Sequence, residues 1–128
     1  MTRDELDRWI DSYEAAWRSG DGVDRLFTPD ATYRSWPYGD PDAGLETIEE
    51  FWAKETAEGE VFTVDREIVA VEGDTGVVRL EVAYTAPKKR DYRDIWIVTL
   101  DADGRCTAFE EWPFWPPGSG GRAAGGAG

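Results

Sequence analysis

The chain has 128 residues, a length that suits a single hydrophobic core. Its 14 Lys and Arg stand against 27 Asp and Glu, a formal charge of -13 at pH 7, which argues against nucleic acid or an anionic membrane as partner. With no His, the Ser-His-Asp and Cys-His dyads and every His-containing metal site are excluded, so acid–base chemistry falls to carboxylates, Tyr or Lys.

The only cysteine, Cys106, excludes an intramolecular disulfide and a multi-thiolate metal site, and it fits a reducing compartment. Neither a basic, apolar leader nor an apolar run near ~18 residues is visible. The expectation is a soluble, cytoplasmic protein without metal or cofactor. Seven Trp, five Tyr and five Phe make 13 % of the chain, more ring surface than a small core needs, and predict an aromatic-lined pocket or interface.

Along Asp4 to Ser19, Leu6, Trp9, Ile10, Tyr13, Ala16 and Trp17 recur at the spacing of one helix face. Thr2 followed by Glu5 is a capping-box signature, and Gly20 is a stop. Val23 to Phe27 predicts a short helix ended by a turn at Thr28-Pro29-Asp30, and Ala31 to Trp36 alternates as a short strand. Pro37 and the 39–42 cluster force a loop. Leu45, Ile48, Phe51, Trp52 and Glu55 then predict a second long helix over Leu45 to Ala57.

Four β-rich runs follow, Phe62 to Val71, Val77 to Thr85, Tyr92 to Leu100 and Cys106 to Trp112, separated by short turn clusters. They predict an antiparallel meander, and helices before strands predict an α+β fold with helices packed on one face of a curved sheet. Residues 1–117 are expected to form one domain, and the Gly- and Ala-rich 118–128 a disordered tail.

This order of elements, with Phe27-Thr28-Pro29-Asp30-Ala31-Thr32, Pro37-Tyr38-Gly39 and Asp103-Gly104-Arg105 in the last hairpin, resembles the nuclear transport factor 2-like, or SnoaL-like, superfamily over roughly residues 3 to 115. The resemblance implies a cone-shaped sheet closed by helices over an apolar pocket, in a superfamily that holds both enzymes and binding proteins. Tyr13 is similar in position to the oxyanion tyrosine of ketosteroid isomerases. Their base falls at Ser35 or Trp36 and their second acid at Trp96, so that activity is not implied. Limonene epoxide hydrolases resemble the chain more closely. Their water-positioning Tyr matches Tyr33 with Ser35 in place of their Asn two residues on, their Arg-x-Asp pair falls at Arg79-Leu80-Glu81 with Glu for Asp, and their last-strand Asp corresponds to Glu111 after a one-residue shift.

Metal-free hydration needs an ionised carboxylate to take a proton from water and a protonated carboxyl to give one to the leaving oxygen. On the resemblance, Glu111 is the base, Tyr33 and Ser35 orient the water, Arg79 bridges and Glu81 is the acid. A four-residue loop at 101–104 would set Leu100 opposite Arg105, Val98 opposite Thr107, Trp96 opposite Phe109 and Asp94 opposite Glu111. Asp94 thereby joins the candidates, because two facing carboxylates need a cation, solvent or a retained proton.

Two registers stay open for the preceding hairpin. If Ala86 pairs with Asp91, Arg79 and Glu81 share the face of Glu111; if Thr85 does, they point to water, as binary patterning of Val78, Leu80, Val82 and Tyr84 also suggests. Lys88, Lys89 and Arg90 are expected at a solvated loop tip. Tyr13, Trp36, Tyr38, Trp52, Trp96 and Phe109 are the candidate ligand-binding rings, with core packing the competing role for Tyr13 and Trp52. Trp112 to Pro117 is too aromatic for a solvated terminus and is expected to cover the pocket mouth or a second subunit, the outer sheet face being the family's frequent homodimer surface. The expected ligand is a small, largely apolar organic molecule. Whether it is converted or only bound stays open between an enzyme and a ligand-binding or dimerisation module.

Overall fold

A computed structural model describes residues 1–55 and 59–118. The end of the second long helix at Ala57 and the tail beyond 118 lie outside the described residues. The element order is α1 (Arg3–Ser19), α2 (Val23–Leu26), β1 (Phe27–Arg34), β2 (Asp42–Ala43), α3 (Leu45–Glu55), β3 (Val61–Glu72), β4 (Thr75–Ala86), β5 (Arg90–Leu100) and β6 (Cys106–Phe114). The strands form one curved α+β sheet in the order β2-β1-β6-β5-β4-β3, with β3 to β6 as the expected meander.

The capping box at Thr2 and Glu5 opens α1, and Gly20, at φ 79°, closes it in the left-handed conformation that glycine adopts without a Cβ penalty. All six predicted apolar positions of α1 are buried in one core cluster with Phe27, Tyr33, Ile48, Trp52 and the inward residues of β4, β5 and β6. The helix is tied to β3 by Arg66, which pairs with Asp7, Asp11 and Glu14 at 3.0, 2.6 and 3.2 Å. It lies so close to β4 that buried Gly76 leaves no room for a Cβ against Leu6.

Three local expectations need correction. No turn ends α2: β1 begins at Phe27 and runs through Pro29, pairing parallel with β6, and a bulge between Phe27 and Thr32 leaves Pro29 and Asp30 exposed where no ladder N–H is required. In the β4–β5 hairpin Ala83, rather than Thr85 or Ala86, lies opposite Asp91. Beyond the Tyr84–Arg90 pair the two strands part, while Ala86 still pairs with Val61 of β3 on the other edge of β4. Arg90 is half-buried rather than solvated, its guanidinium 4.2 Å above the Tyr84 ring and 3.1 Å from Glu60. These contacts anchor the Tyr84–Arg90 pair.

The last hairpin is offset by two residues from the expected register. Asp101 Oδ1 accepts the backbone N–H groups of Asp103 and Arg105, which draws Arg105 into the loop and leaves Leu100 opposite Cys106. A bulge between Thr99 and Leu100 adds the second step, so Val98 faces Phe109, Trp96 faces Glu111 and Asp94 faces Pro113. Two one-residue shifts restore the original side-chain parity. Asp94 and Glu111 therefore remain on the same face, as diagonal neighbours.

Candidate functional site

Strand alternation delivers Tyr92, Asp94 and Trp96 from β5 and Phe109 and Glu111 from β6 to the concave side of the sheet, all of them buried. Asp94 is 1 % exposed and Glu111 2 %. The Trp96 indole Nε1 donates to Asp94 Oδ2 at 3.0 Å, and the Glu111 carboxyl lies within hydrogen-bonding reach of Asp94. A hydrogen bond between two carboxyls needs a proton on one of them, so the pair contains an acid and a base at once. Burial pushes Asp94 up to about 6, against the opposing pull of the hydrogen bonds from Glu111, Trp96 and the Ile95 backbone. No Lys or Arg among the described residues is buried.

Two tyrosines from opposite layers meet beside this pair. Tyr13 on α1 and Tyr33 on β1 share a 2.8 Å hydrogen bond between their hydroxyls, and both rings stack on Phe109, at 5.4 and 4.7 Å. Burial, then the charge of neighbouring groups including Glu111, holds both hydroxyls well above the ordinary tyrosine range. They stay protonated and act as donors or acceptors of hydrogen bonds. Tyr13 also packs against Trp96 at 4.4 Å and Trp52 at 4.9 Å, which puts four of the six predicted ligand-binding rings in one cluster.

The other candidates lie elsewhere. Arg79 and Glu81 point to the outer face, 60 % and 61 % exposed, where Arg79 pairs with Glu67 and Glu81 with Arg93. The observed register has the parity that sends them to water, because Val78, Leu80, Val82 and Tyr84 fill the core side of β4. The structure does not place an arginine between Asp94 and Glu111. Tyr38 is 92 % exposed and lies outside the buried cluster, while Ser35 and Trp36 are half-buried in the loop after β1. Tyr92, absent from the predicted set, was legible in the alternation Tyr92, Asp94, Trp96, Val98, Leu100; its aromatic character alone reads as core.

Among the described residues, no group of three or more His, Cys, Asp or Glu is placed to hold a metal, and no helix is long and apolar enough to cross a membrane.

Comparison with solved structures finds the same fold in an LEH-like epoxide hydrolase of M. tuberculosis, at 18 % identity and TM-score 0.69 over 86 % of this chain and 83 % of that one. An NTF-2 like protein of unknown function from Burkholderia xenovorans LB400 matches at 17 % identity and TM-score 0.69 over 94 % and 92 %. The epoxide hydrolase/cyclase-like enzyme SalBIII, which acts in pyran ring formation in the polyether salinomycin, matches at 19 % identity and TM-score 0.65 over 91 % and 95 %. At these identities the likeness extends to the fold alone. No curated protein matches the sequence. The SnoaL-like domain profile matches residues 6–109, which is most of the chain and includes the α1 tyrosine, Asp94 and Trp96, and the protein belongs to the SnoaL-like domain family.

Proposed function

We propose that Asp94 and Glu111 carry out cofactor-free acid–base chemistry on a small, largely apolar organic molecule held on the concave side of the sheet. The observation that supports this most directly is the pair itself: two buried carboxyls within hydrogen-bonding reach, with no buried Lys or Arg beside them. A purely structural pair of this kind is costly, since hydrophobic residues of the same volume would pack without desolvating two acids. The shift of Asp94 to about 6 leaves the pair able to exchange a proton near neutral pH.

In hydration of an epoxide, the ionised member of the pair takes a proton from water as the water oxygen bonds to carbon. The protonated member gives its proton to the ring oxygen as the C–O bond breaks, and the pair ends with one proton as it began. The Tyr13–Tyr33 hydroxyls are placed to orient water or the substrate oxygen. With Arg79 and Glu81 on the outer face, the acid role given to Glu81 by the limonene epoxide hydrolase resemblance would fall to Asp94, and the bridging role given to Arg79 has no buried counterpart among the described residues.

The second reading is a ligand-binding or dimerisation module. It draws on Trp112, 40 % exposed, and Phe114, 55 % exposed, on the outer face beside half-buried Ile95 and Ile97. We propose this face as a homodimer surface whichever reading of the interior holds. A panel of small epoxides and esters tests the chemistry. Glu111→Gln and Asp94→Asn should each lower turnover of any converted substrate by about 10²- to 10⁴-fold. Wild-type turnover in both variants would overturn the assignment to Asp94 and Glu111, and a wild type that converts no member of the panel would leave the binding module.

A further inference from the structure

The Tyr92 hydroxyl is buried on the same face of β5 as Asp94, two residues away, and makes no hydrogen bond. Its ring lies between Tyr84, at 6.5 Å, and Trp115, at 4.8 Å. The Trp115 indole Nε1 is also buried without an acceptor. Both residues also border a groove of about 590 Å³, whose other walls include Phe114, Pro116 and Pro117 and the exposed Asp65, Glu81, Asp91 and Arg93.

An unmet donor in a protein interior is disfavoured, and phenylalanine would fill the place of Tyr92 without that penalty. Two unmet donors on touching rings are therefore a feature that packing does not account for. Burial, then Glu111 and Asp94, keeps the Tyr92 hydroxyl protonated far above neutral pH, so it can donate to a neutral oxygen at any working pH.

We infer that Tyr92 and Trp115 donate hydrogen bonds to an oxygen of the ligand, and that the ligand is a neutral, oxygen-bearing apolar molecule such as a ketone, ether or epoxide. This rests on the acid–base reading of Asp94 and Glu111, beside which that oxygen would lie. The competing ligand classes fit less well. A carboxylate or phosphate would meet two buried acids and no buried cation. An ammonium can donate to the Tyr92 oxygen but accepts nothing, so the Trp115 N–H would stay unmet, and a hydrocarbon would leave both donors unmet.

The test uses four probes of similar size, acetophenone, ethylbenzene, benzylamine and benzoate, with binding followed by tryptophan fluorescence in the wild type, Tyr92→Phe, Trp115→Phe and Glu111→Gln. The wild type should prefer acetophenone over ethylbenzene by about tenfold. Tyr92→Phe should bring that preference to about twofold or less without lowering the unfolding midpoint, and Trp115→Phe should reduce it in the same direction. A wild type that binds acetophenone no better than ethylbenzene, up to the solubility limit of either, overturns the inference. So does a preference that survives both Tyr92→Phe and Trp115→Phe. Turnover in Glu111→Gln is scored separately: if it is unchanged while Tyr92→Phe loses the preference, the donor assignment stands and the acid–base reading fails.

Discussion

Substituting Asp94 by Asn should stabilise the protein at neutral pH while removing its acid–base capacity, a combination that separates a functional carboxyl from a structural one. In the fold, burial raises Asp94 from an ordinary value of 3.8 to about 6. Below about pH 4 both folded and unfolded chains hold the proton and the group costs nothing. Between about pH 4 and 6 the unfolded chain releases its proton while the folded chain keeps it, so stability falls as pH rises; above about 6 the deficit is constant. A difference of about two units corresponds to about 3 kcal/mol. Asparagine fills the same space, keeps an oxygen for Trp96 Nε1 and offers an amide N–H to Glu111, without the ionisation. Urea unfolding of the two proteins, followed by tryptophan fluorescence from about pH 4 to 8, reads the effect as a difference, which cancels the pH response of the other carboxylates. The variant should gain up to about 3 kcal/mol at pH 8, or about 10 °C in Tm, and the gain should vanish towards pH 4. A pH-independent difference, or a variant less stable than wild type at pH 8, would refute the burial argument.

Other predictions concern the frame around the site. Gly76→Ala places a Cβ against Leu6 Cδ2 and should cost about 1–3 kcal/mol in urea unfolding; pairing it with Leu6→Ala should cost less than the sum of the two. Arg66→Met removes the cation that three α1 carboxylates share and should lower stability by about 1 kcal/mol, with the loss shrinking at high salt. If the outer face joins two copies, sedimentation should show a wild-type dimer that Phe114→Asp converts to a monomer, and a monomeric wild type would remove that proposal.

Much of the frame was legible because it depends on local chemistry. The apolar stripe from Leu6 to Trp17, the capping box at Thr2 and Glu5, and the β-rich runs separated by turn clusters each specify an element from neighbouring residues alone. Glu111 and Asp94 were also within reach, since strand parity places them on one face once the last hairpin is recognised, and a register error of two leaves that parity intact. A one-residue uncertainty is different: it inverts a strand, and it left Arg79 and Glu81 undecided between the interior and water. The tertiary structure settled this by setting Tyr84 opposite Arg90, whose guanidinium is held over the Tyr84 ring and against Glu60, a residue of a distant segment. The meeting of Tyr13 with Tyr33 and of Tyr92 with Trp115 has the same origin, because each joins separate elements whose packing no local pattern specifies. Short-range spacing determined what the elements are and which residues share a face; the choice of which faces meet was left to long-range packing.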